Sequence, residues 1–371
     1  MTTVAFLADQ LFSPAPGGMG TYVRELVPAL ARLDPEVEVT LFHSRFDVEL
    51  PEAWMADYKV VELEQGIRRL YPAWALAGRP PLPGDLSGLD LVHSPVPAAV
   101  PPPGPSQPLV VTIHDLAFLE FPALYPRQWR LMYRAALARA VRSADAIITV
   151  SRHTAEDLGR RTRVDRRKVH VVPLAASLPA SASDTAEVLD RLKIRTPYLL
   201  FVGTLEPRKN LVRLVRAYRR IAARGAPHSL VLAGPIGWRP QALLREISLD
   251  GPGQIILTGY TKPEDLDALY REAEALVYPS LYEGFGLPVL EAMGRGTPCL
   301  ISTSSSLPEV AGEAALPVDP RSVTGLAEAM ERLVTDRELS ARLRQAGLAR
   351  AARFSWEGTA RLTLDVYRSL L

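Results

Sequence analysis

Two glutamates, Glu283 and Glu291, stand with seven residues between them around a glycine-rich turn in residues 281–296, Leu-Tyr-Glu-Gly-Phe-Gly-Leu-Pro-Val-Leu-Glu-Ala-Met-Gly-Arg-Gly. An apolar run at 275–279 leads into it, so the order is strand, loop, helix. Pro288 suits the first helical turn, where its missing N–H costs nothing and its fixed φ matches the helix, which puts the helix start near Leu287. Gly284 and Gly286 let a ligand approach the backbone, and free N–H groups at a helix start, with the helix dipole, favour a phosphate. Glu283 lies before that start and Glu291 about one turn inside it. The two carboxylates can bracket an anion and accept from hydroxyls on either side, which is the outline of a sugar nucleotide.

Three other constellations carry chemistry. Glu206-Pro207-Arg208-Lys209-Asn210 follows an apolar strand, 198–202, through Gly203-Thr204-Leu205. Two adjacent cations at a helix start make a diphosphate clamp, Arg208 as a forked donor and Lys209 as a point charge; a solvated basic turn is the competing reading. His114-Asp115 closes the strand 109–113. The histidine can offer its ring to a hydroxyl or its carbonyl to an anomeric centre, with Asp115 fixing its orientation; a histidine that only caps a strand end is the alternative. His93 is a weaker candidate of the same kind, and His43, His153, His170 and His228 read as structural or surface. Gly17-Gly18-Met19-Gly20 follows the first strand and suits a phosphate or a tight turn. The second strand ends in His43-Ser44 where a dinucleotide site needs an acid, and no P-loop motif exists.

These residues need a scaffold of strands and helices in alternation. Strands are predicted at 4–8, 37–42, 89–93, 109–114, 146–150 and 169–172, with a first helix over 21–33 that Pro28 should kink and a Pro-rich loop over 95–108. A small, uncharged stretch, 173–184, reads as a linker. The alternation restarts with strands at 198–202, 230–233, 255–257, 275–278 and 299–302, and helices near 211–224, 242–247 and 264–273. The tail is helical at 323–333, 337–352 and 356–371. This predicts an α/β protein of two doubly wound, Rossmann-like domains, 1–178 and 190–355, with ligands at strand carboxyl ends and the reaction in the cleft between facing domains.

Composition narrows the setting. The chain has 371 residues, 47% of them hydrophobic, and a net charge of +2. No apolar run approaches the roughly 20 residues of a membrane span, and the N-terminus lacks the basic start of a secretory signal. A single cysteine, Cys299, excludes an internal disulfide and fits a cytoplasmic protein; no Cys/His cluster has zinc spacing. Residues 127–168 hold 12 Lys/Arg against 4 Asp/Glu, and the helix over 129–139 has aromatic and basic faces suited to an anionic membrane or a phosphorylated lipid, or simply to solvent over a core stripe. Near-neutral charge and the lack of a recognised module speak against nucleic acid.

Taken together, Gly17-Gly18, His114-Asp115, Val150-Ser151, 202–210, Leu257-Thr258-Gly259-Tyr260, 278–286, the Glu283 and Glu291 pair, and Ser306-Leu307-Pro308-Glu309-Val310-Ala311-Gly312 resemble the retaining GT-B glycosyltransferases of family GT4 over nearly the whole chain. The resemblance implies a GT-B fold in which the C-terminal domain binds the donor, the N-terminal domain holds the acceptor, and the last helix, 356–371, crosses back to the N-terminal domain. By the same resemblance Glu291 binds ribose hydroxyls, Glu283 binds donor-sugar hydroxyls, and the backbone N–H groups of Phe285, Gly286 and Leu287 face sugar and phosphate. Arg208 and Lys209 hold the diphosphate, His114 touches the donor sugar, and Gly18 approaches the phosphates. Gly203, Thr204, Gly234 and Tyr260 complete the donor-binding set. Thr204 is a departure, because many members carry Arg there, and it shifts load to Arg208.

The motif wording is similar to mannosyltransferases that use GDP-mannose, although UDP-glucose enzymes share almost the same motifs. The implied activity is retaining transfer of a hexose, mannose first, from a nucleoside-diphosphate sugar to a saccharide or glycolipid acceptor in cell-surface glycan synthesis. It needs no cofactor beyond the donor and no metal, since no Asp-x-Asp pair accompanies the donor motifs. Such an enzyme would be cytoplasmic, at the inner face of the membrane if the basic segment docks there. A sugar-nucleotide epimerase or hydrolase on the same fold, and a non-catalytic sugar-nucleotide-binding subunit, are the alternatives. The loops 73–88 and 95–108, which would choose the acceptor, carry no interpretable pattern.

Overall fold

The computed structural model describes residues 2–14, 16–46, 51–177 and 184–371. The chain divides into two compact units, Met1–Leu174 with Ser355–Leu371, and Ala175–Phe354. Half of the expected linker, 173–184, falls on 178–183, which lie outside the described residues.

In the first unit seven strands form one parallel sheet: β1 (Thr2–Leu7), β2 (Val37–His43), β3 (Lys59–Glu62), β4 (Leu91–Ser94), β5 (Leu109–Ile113), β6 (Ala146–Thr149) and β7 (Val169–Val171), in the order β3-β2-β1-β4-β5-β6-β7. β5 and β6 are buried at every residue, as strands covered on both faces must be. The edge strand β3 has no buried residue, so it lacks the apolar run that marks the others, and sequence pattern alone misses it. The first helix, Gly17–Leu33, begins four residues earlier than predicted, so the glycine turn is itself the helix's first turn. It runs through Pro28 as one element. A helix at Ile67–Ala77, closed by Gly78 in the left-handed region, occupies a stretch partly read as loop. Among the described residues no helix is long and apolar enough to cross a membrane.

The last helix, Trp356–Arg368, packs in this first unit. Its polar contacts explain how. Thr359 donates to the Pro173 carbonyl at 2.7 Å, Arg368 pairs with Asp34, and the Tyr367 hydroxyl meets His93 Nδ1 at 2.5 Å. His93 Nε2 in turn lies 2.8 Å from the Thr112 hydroxyl, which is 3.1 Å from that of Tyr22 on the first helix. His93 is thus a core histidine; burial, with His114 nearby, holds its ring down to about 3 and keeps it neutral.

In the second unit six parallel strands, β8 (Tyr198–Val202), β9 (Ser229–Ala233), β10 (Ile255–Gly259), β11 (Ala275–Tyr278), β12 (Cys299–Ser302) and β13 (Leu316–Val318), take the order β10-β9-β8-β11-β12-β13. The strand order reverses between β8 and β11. An open α/β sheet binds its ligand at the carboxyl ends flanking that reversal, where the two exit loops diverge. Cys299 lies buried in β12.

Tyr367→Phe removes one hydroxyl and leaves a buried ring nitrogen unpaired. It should cost about 1–3 kcal/mol of unfolding free energy, read as a lower urea midpoint at unchanged slope. An unchanged midpoint would show that this hydrogen bond does not hold the last helix.

Candidate active site

β8 exits through Gly203, at φ +138°, into a short turn over Pro207–Lys209. Asn210 follows in the left-handed region and starts the helix Leu211–Ala223. Its amide donates to the carbonyls of Pro279, at 3.1 Å, and Pro320, at 2.6 Å, so the loop after β8 is fastened to those after β11 and β13. The Leu281 N–H adds a bond to the Arg208 carbonyl at 2.9 Å. The two sides of the switch point are therefore one rigid construction.

That construction holds a buried charge cluster. Arg208 donates to Glu206 Oε1 through Nε at 2.9 Å, and through Nη1 to the Tyr282 carbonyl at 2.7 Å and Glu283 Oε2 at 2.8 Å. Lys209 donates to Glu283 Oε1 at 2.6 Å and to the Tyr278 hydroxyl at 2.8 Å, with its ammonium 5.1 Å from the Tyr278 ring centroid. Glu283 is 6% and Lys209 7% exposed. Burial alone would raise the Glu283 carboxyl, but Arg208 and Lys209 outweigh it and hold the group down at about 2. Burial lowers the Lys209 ammonium despite its acidic neighbours.

Neither cation of the expected clamp is bare. Each is already engaged by protein carboxylates, and the four side chains Glu206, Arg208, Lys209 and Glu283 sum to zero charge. The reason is energetic, since a buried cation without a partner is prohibitively costly. Two of the three ammonium protons of Lys209 serve Tyr278 and Glu283, leaving one to donate to a ligand.

The glycine loop is held from below. The Glu283 N–H donates to Ser305 Oγ at 2.8 Å, and the Ser306 hydroxyl donates to the carbonyls of Glu283 and Phe285 at 2.9 and 3.0 Å. Ser305 takes φ +58°, a conformation that costs a non-glycine residue on the order of 1–3 kcal/mol. Gly286, at φ +107°, precedes the helix Leu287–Gly294, whose start matches the prediction. That φ strains any L side chain, and a Cβ there would also lie 2.6 Å from the Leu307 Cδ2 methyl, so glycine is favoured. Gly234 is needed for a similar reason, because its Cβ would lie 2.2 Å from the Gly203 carbonyl oxygen. Thr204 is partly exposed, with its carbonyl accepting the Glu206 N–H, and Tyr260 is 53% exposed.

Glu291 lies on the helix Leu287–Gly294 and accepts from the Tyr270 hydroxyl at 2.8 Å. Burial raises its carboxyl to about 7, against the pull of Tyr270 and Arg295. It can therefore either accept from or donate to a ligand hydroxyl near neutral pH.

The remaining predicted residues belong to the first unit. Gly18 is exposed in the first turn of Gly17–Leu33. His114 Nε2–H donates to the Pro95 carbonyl at 2.9 Å, and its ring stands edge-on to Tyr22 at 5.1 Å. Burial lowers the ring to about 4, so it is neutral at pH 7, with Nδ1 as its acceptor. Pro95, not Asp115, orients it: Asp115 accepts from the Ala117 N–H and caps the next turn. The His114 carbonyl takes the Thr154 hydroxyl at 3.3 Å.

Structure adds partners that sequence reasoning passed over: Glu206, Tyr278, Tyr270, Ser305 and Ser306. Glu206 stands inside a motif and could have been weighed as a counter-charge. For the tyrosines and serines no local signal exists, because their roles depend on strands far apart in sequence. Among the described residues no group of three or more His, Cys, Asp or Glu side chains could hold a metal ion.

A sheet that reverses order beside a rigid loop of cations and glycines is a ligand-binding α/β domain of the nucleotide-binding kind. Two family descriptions match the chain, Glycosyltransferase Family 4 over residues 16–178 and Glycosyl transferases group 1 over residues 190–350. The chain is 34% identical over 267 residues to the O-antigen chain mannosyltransferase B of Escherichia coli, covering 70% of each. It is also 34% identical over 254 residues to the serotype-specific mannosyltransferase WbdA of Escherichia coli, covering 66% of this chain and 31% of that one, so it spans about a third of that longer protein. In structure it matches HepE of Anabaena, solved in complex with UDP-glucose, with a TM-score of 0.76, 18% identity and full coverage of both chains. The chain belongs to the GT4 family of glycosyltransferases and has the GT-B fold.

Glu283→Ala leaves buried Lys209 without a carboxylate and Arg208 with Glu206 alone, and should lower unfolding free energy by about 3–5 kcal/mol, whereas Glu283→Gln keeps the hydrogen-bonding shape and loses less. Chemical denaturation followed by tryptophan fluorescence reads the difference. Equal and small losses for both would show that the cations do not depend on Glu283.

Proposed function

We propose that the chain moves a hexose, mannose first, from a nucleoside-diphosphate sugar, GDP-mannose or another, to a saccharide or glycolipid acceptor in cell-surface glycan synthesis, with retention at the anomeric carbon and without a metal. The observation that carries this reading is Glu283 held between Arg208 and Lys209 at the switch point of the second sheet. The names of the two mannosyltransferase relatives support the sugar and the glycan setting. The UDP-glucose complex of HepE supports a sugar-nucleotide donor while leaving the base to experiment.

In this reading the diphosphate lies against Arg208, Lys209 and the first turn of Leu287–Gly294, where N–H groups lack helical partners. Phe285, Gly286 and Leu287 offer backbone N–H groups to sugar and phosphate. Glu291 takes the ribose hydroxyls, and Glu283 meets hydroxyls of the transferred sugar. Gly203 and Gly234 shape the floor; Thr204 and Tyr260 sit at its rim. The acceptor hydroxyl attacks on the face the diphosphate is leaving. The bond from anomeric carbon to diphosphate oxygen breaks, the acceptor oxygen bonds to that carbon, and the acceptor proton passes to the departing diphosphate. Arg208 and Lys209 stabilise the charge that builds on it.

The helix Arg127–Ser143 supports a peripheral role at the cytoplasmic face of a membrane. Arg127, Leu131 and Arg134 are exposed along one side of it, with Leu131 62% exposed.

Incubating the protein with GDP-mannose or UDP-glucose and a panel of mannosides, then assigning the product by NMR, tests this. An α-linked product whose rate is unaffected by EDTA is expected. Free sugar or an epimer from donor alone would turn the assignment to a hydrolase or epimerase, and a large Mg²⁺-reversible loss in EDTA would refute the cation-only account.

A further inference from the structure

In the second unit the helix Pro263–Glu272 packs against Leu287–Gly294 and brings Tyr270 to it. Tyr270 is fully buried, and its hydroxyl donates to Glu291 Oε2 at 2.8 Å. Its main chain is held by the same neighbour. The Thr297 hydroxyl donates to the Tyr270 carbonyl at 2.5 Å, and the Thr297 N–H donates to the Ala292 carbonyl at 2.9 Å. One turn earlier, Asp267 pairs with Arg295 just past the end of Leu287–Gly294, and with Arg271 at 2.9 Å. Backbone and hydroxyl of Tyr270 are therefore both fixed relative to the helix that carries Glu291.

The choice of partner is the informative part. A buried tyrosine hydroxyl needs one acceptor, and a main-chain carbonyl meets that need without taking a charge out of water. Two other tyrosines of this unit do so: Tyr198 donates to the Leu269 carbonyl at 2.7 Å, and Tyr218 to the carbonyls of His228 and Gln254, both at 2.9 Å. Tyr270 instead donates to a carboxyl only 9% exposed, whose burial is costly. The pairing also differs from that of Glu283, whose two oxygens are tied to cations. A neutral donor fixes a carboxyl in place without cancelling its charge. Burial raises the Glu291 carboxyl, and Tyr270 opposes this ahead of Arg295, so the tyrosine favours the ionised acceptor.

We propose that Tyr270 is the positioning residue for the donor's ribose: by holding Oε2 it presents Oε1 of Glu291 to the vicinal hydroxyls, and so sets a preference for ribonucleotides over deoxynucleotides. The inference rests on the reading of Glu291 as the ribose acceptor. Tyr270 acts through that carboxyl and touches no atom of the donor. A carboxyl left to rotate would spread its acceptor oxygens over several directions, and a diol gains most from one that is already aimed.

Titration of the full chain with GDP and UDP, each beside its 2′-deoxy form, tests this in the wild type and in Tyr270→Phe. The wild type should prefer the ribonucleotide by roughly tenfold or more, and Tyr270→Phe should cut that preference to about threefold or less. Affinity for the deoxynucleotide should stay within about twofold, which a tyrosine that only supports the fold would not leave intact. An unchanged preference, or an equal loss for both forms, overturns the inference and leaves the ribose reading of Glu291 standing. A wild type that binds both forms equally, or binds neither base, overturns that reading and the inference with it. In the Glu291→Gln background, adding Tyr270→Phe should leave the remaining preference unchanged; a further change would show that Tyr270 acts independently of the carboxyl and overturn the inference. Should Tyr270→Phe melt early, Glu291→Asp supplies the comparison. Its shorter side chain keeps the charge but cannot reach both Tyr270 and the ribose, so the preference should fall as far, and a preference retained overturns the inference.

Discussion

A buried carboxylate shared by two buried cations is the interaction on which the switch-point loops of the second unit depend. Glu283 reaches Arg208 and Lys209 at 2.8 and 2.6 Å with almost no solvent present. Each member would be intolerable in that position alone; together they hold one another in place. Around them, Asn210 ties three strand exits together and Ser305 and Ser306 fix the glycine loop. The strain at Ser305 is the kind of local cost that a surrounding hydrogen-bond network maintains.

Such preorganisation has a direct chemical use. Cations locked before the substrate arrives need no rearrangement as charge develops on a leaving diphosphate, and a low-dielectric surrounding strengthens their pull. Because the resting cluster is neutral, an incoming dianion meets donors whose positions are set by Glu206 and Glu283 instead of a pool of loose positive charge.

Much of this was legible in the sequence. Buried parallel strands announce themselves as apolar runs, which is why β5, β6, β8 and β11 were read within a residue or so, and Pro288 marked a helix start that the structure keeps. The edge strand β3 and the helix Ile67–Ala77 were hidden because one is half-exposed and the other contains Pro72. At the site, Glu283, Arg208 and Lys209 could be named, but their mutual pairing could not. It joins residues 74 and 75 positions apart, a separation no local spacing encodes. The same limit misassigned Asp115, whose neighbour in sequence is His114 but whose hydrogen-bond partner is Ala117.

Membership in the GT4 family and the geometry of the second unit converge on one claim, that Arg208 and Lys209, set by Glu283, receive the donor's diphosphate. Titration calorimetry with whichever nucleoside diphosphate binds more tightly, GDP or UDP, and with the matching nucleoside as control, addresses it most directly. For Lys209→Met the account predicts at least a tenfold loss of affinity for the diphosphate and little change for the nucleoside. Equal affinity of the wild type and the variant for the diphosphate would contradict it.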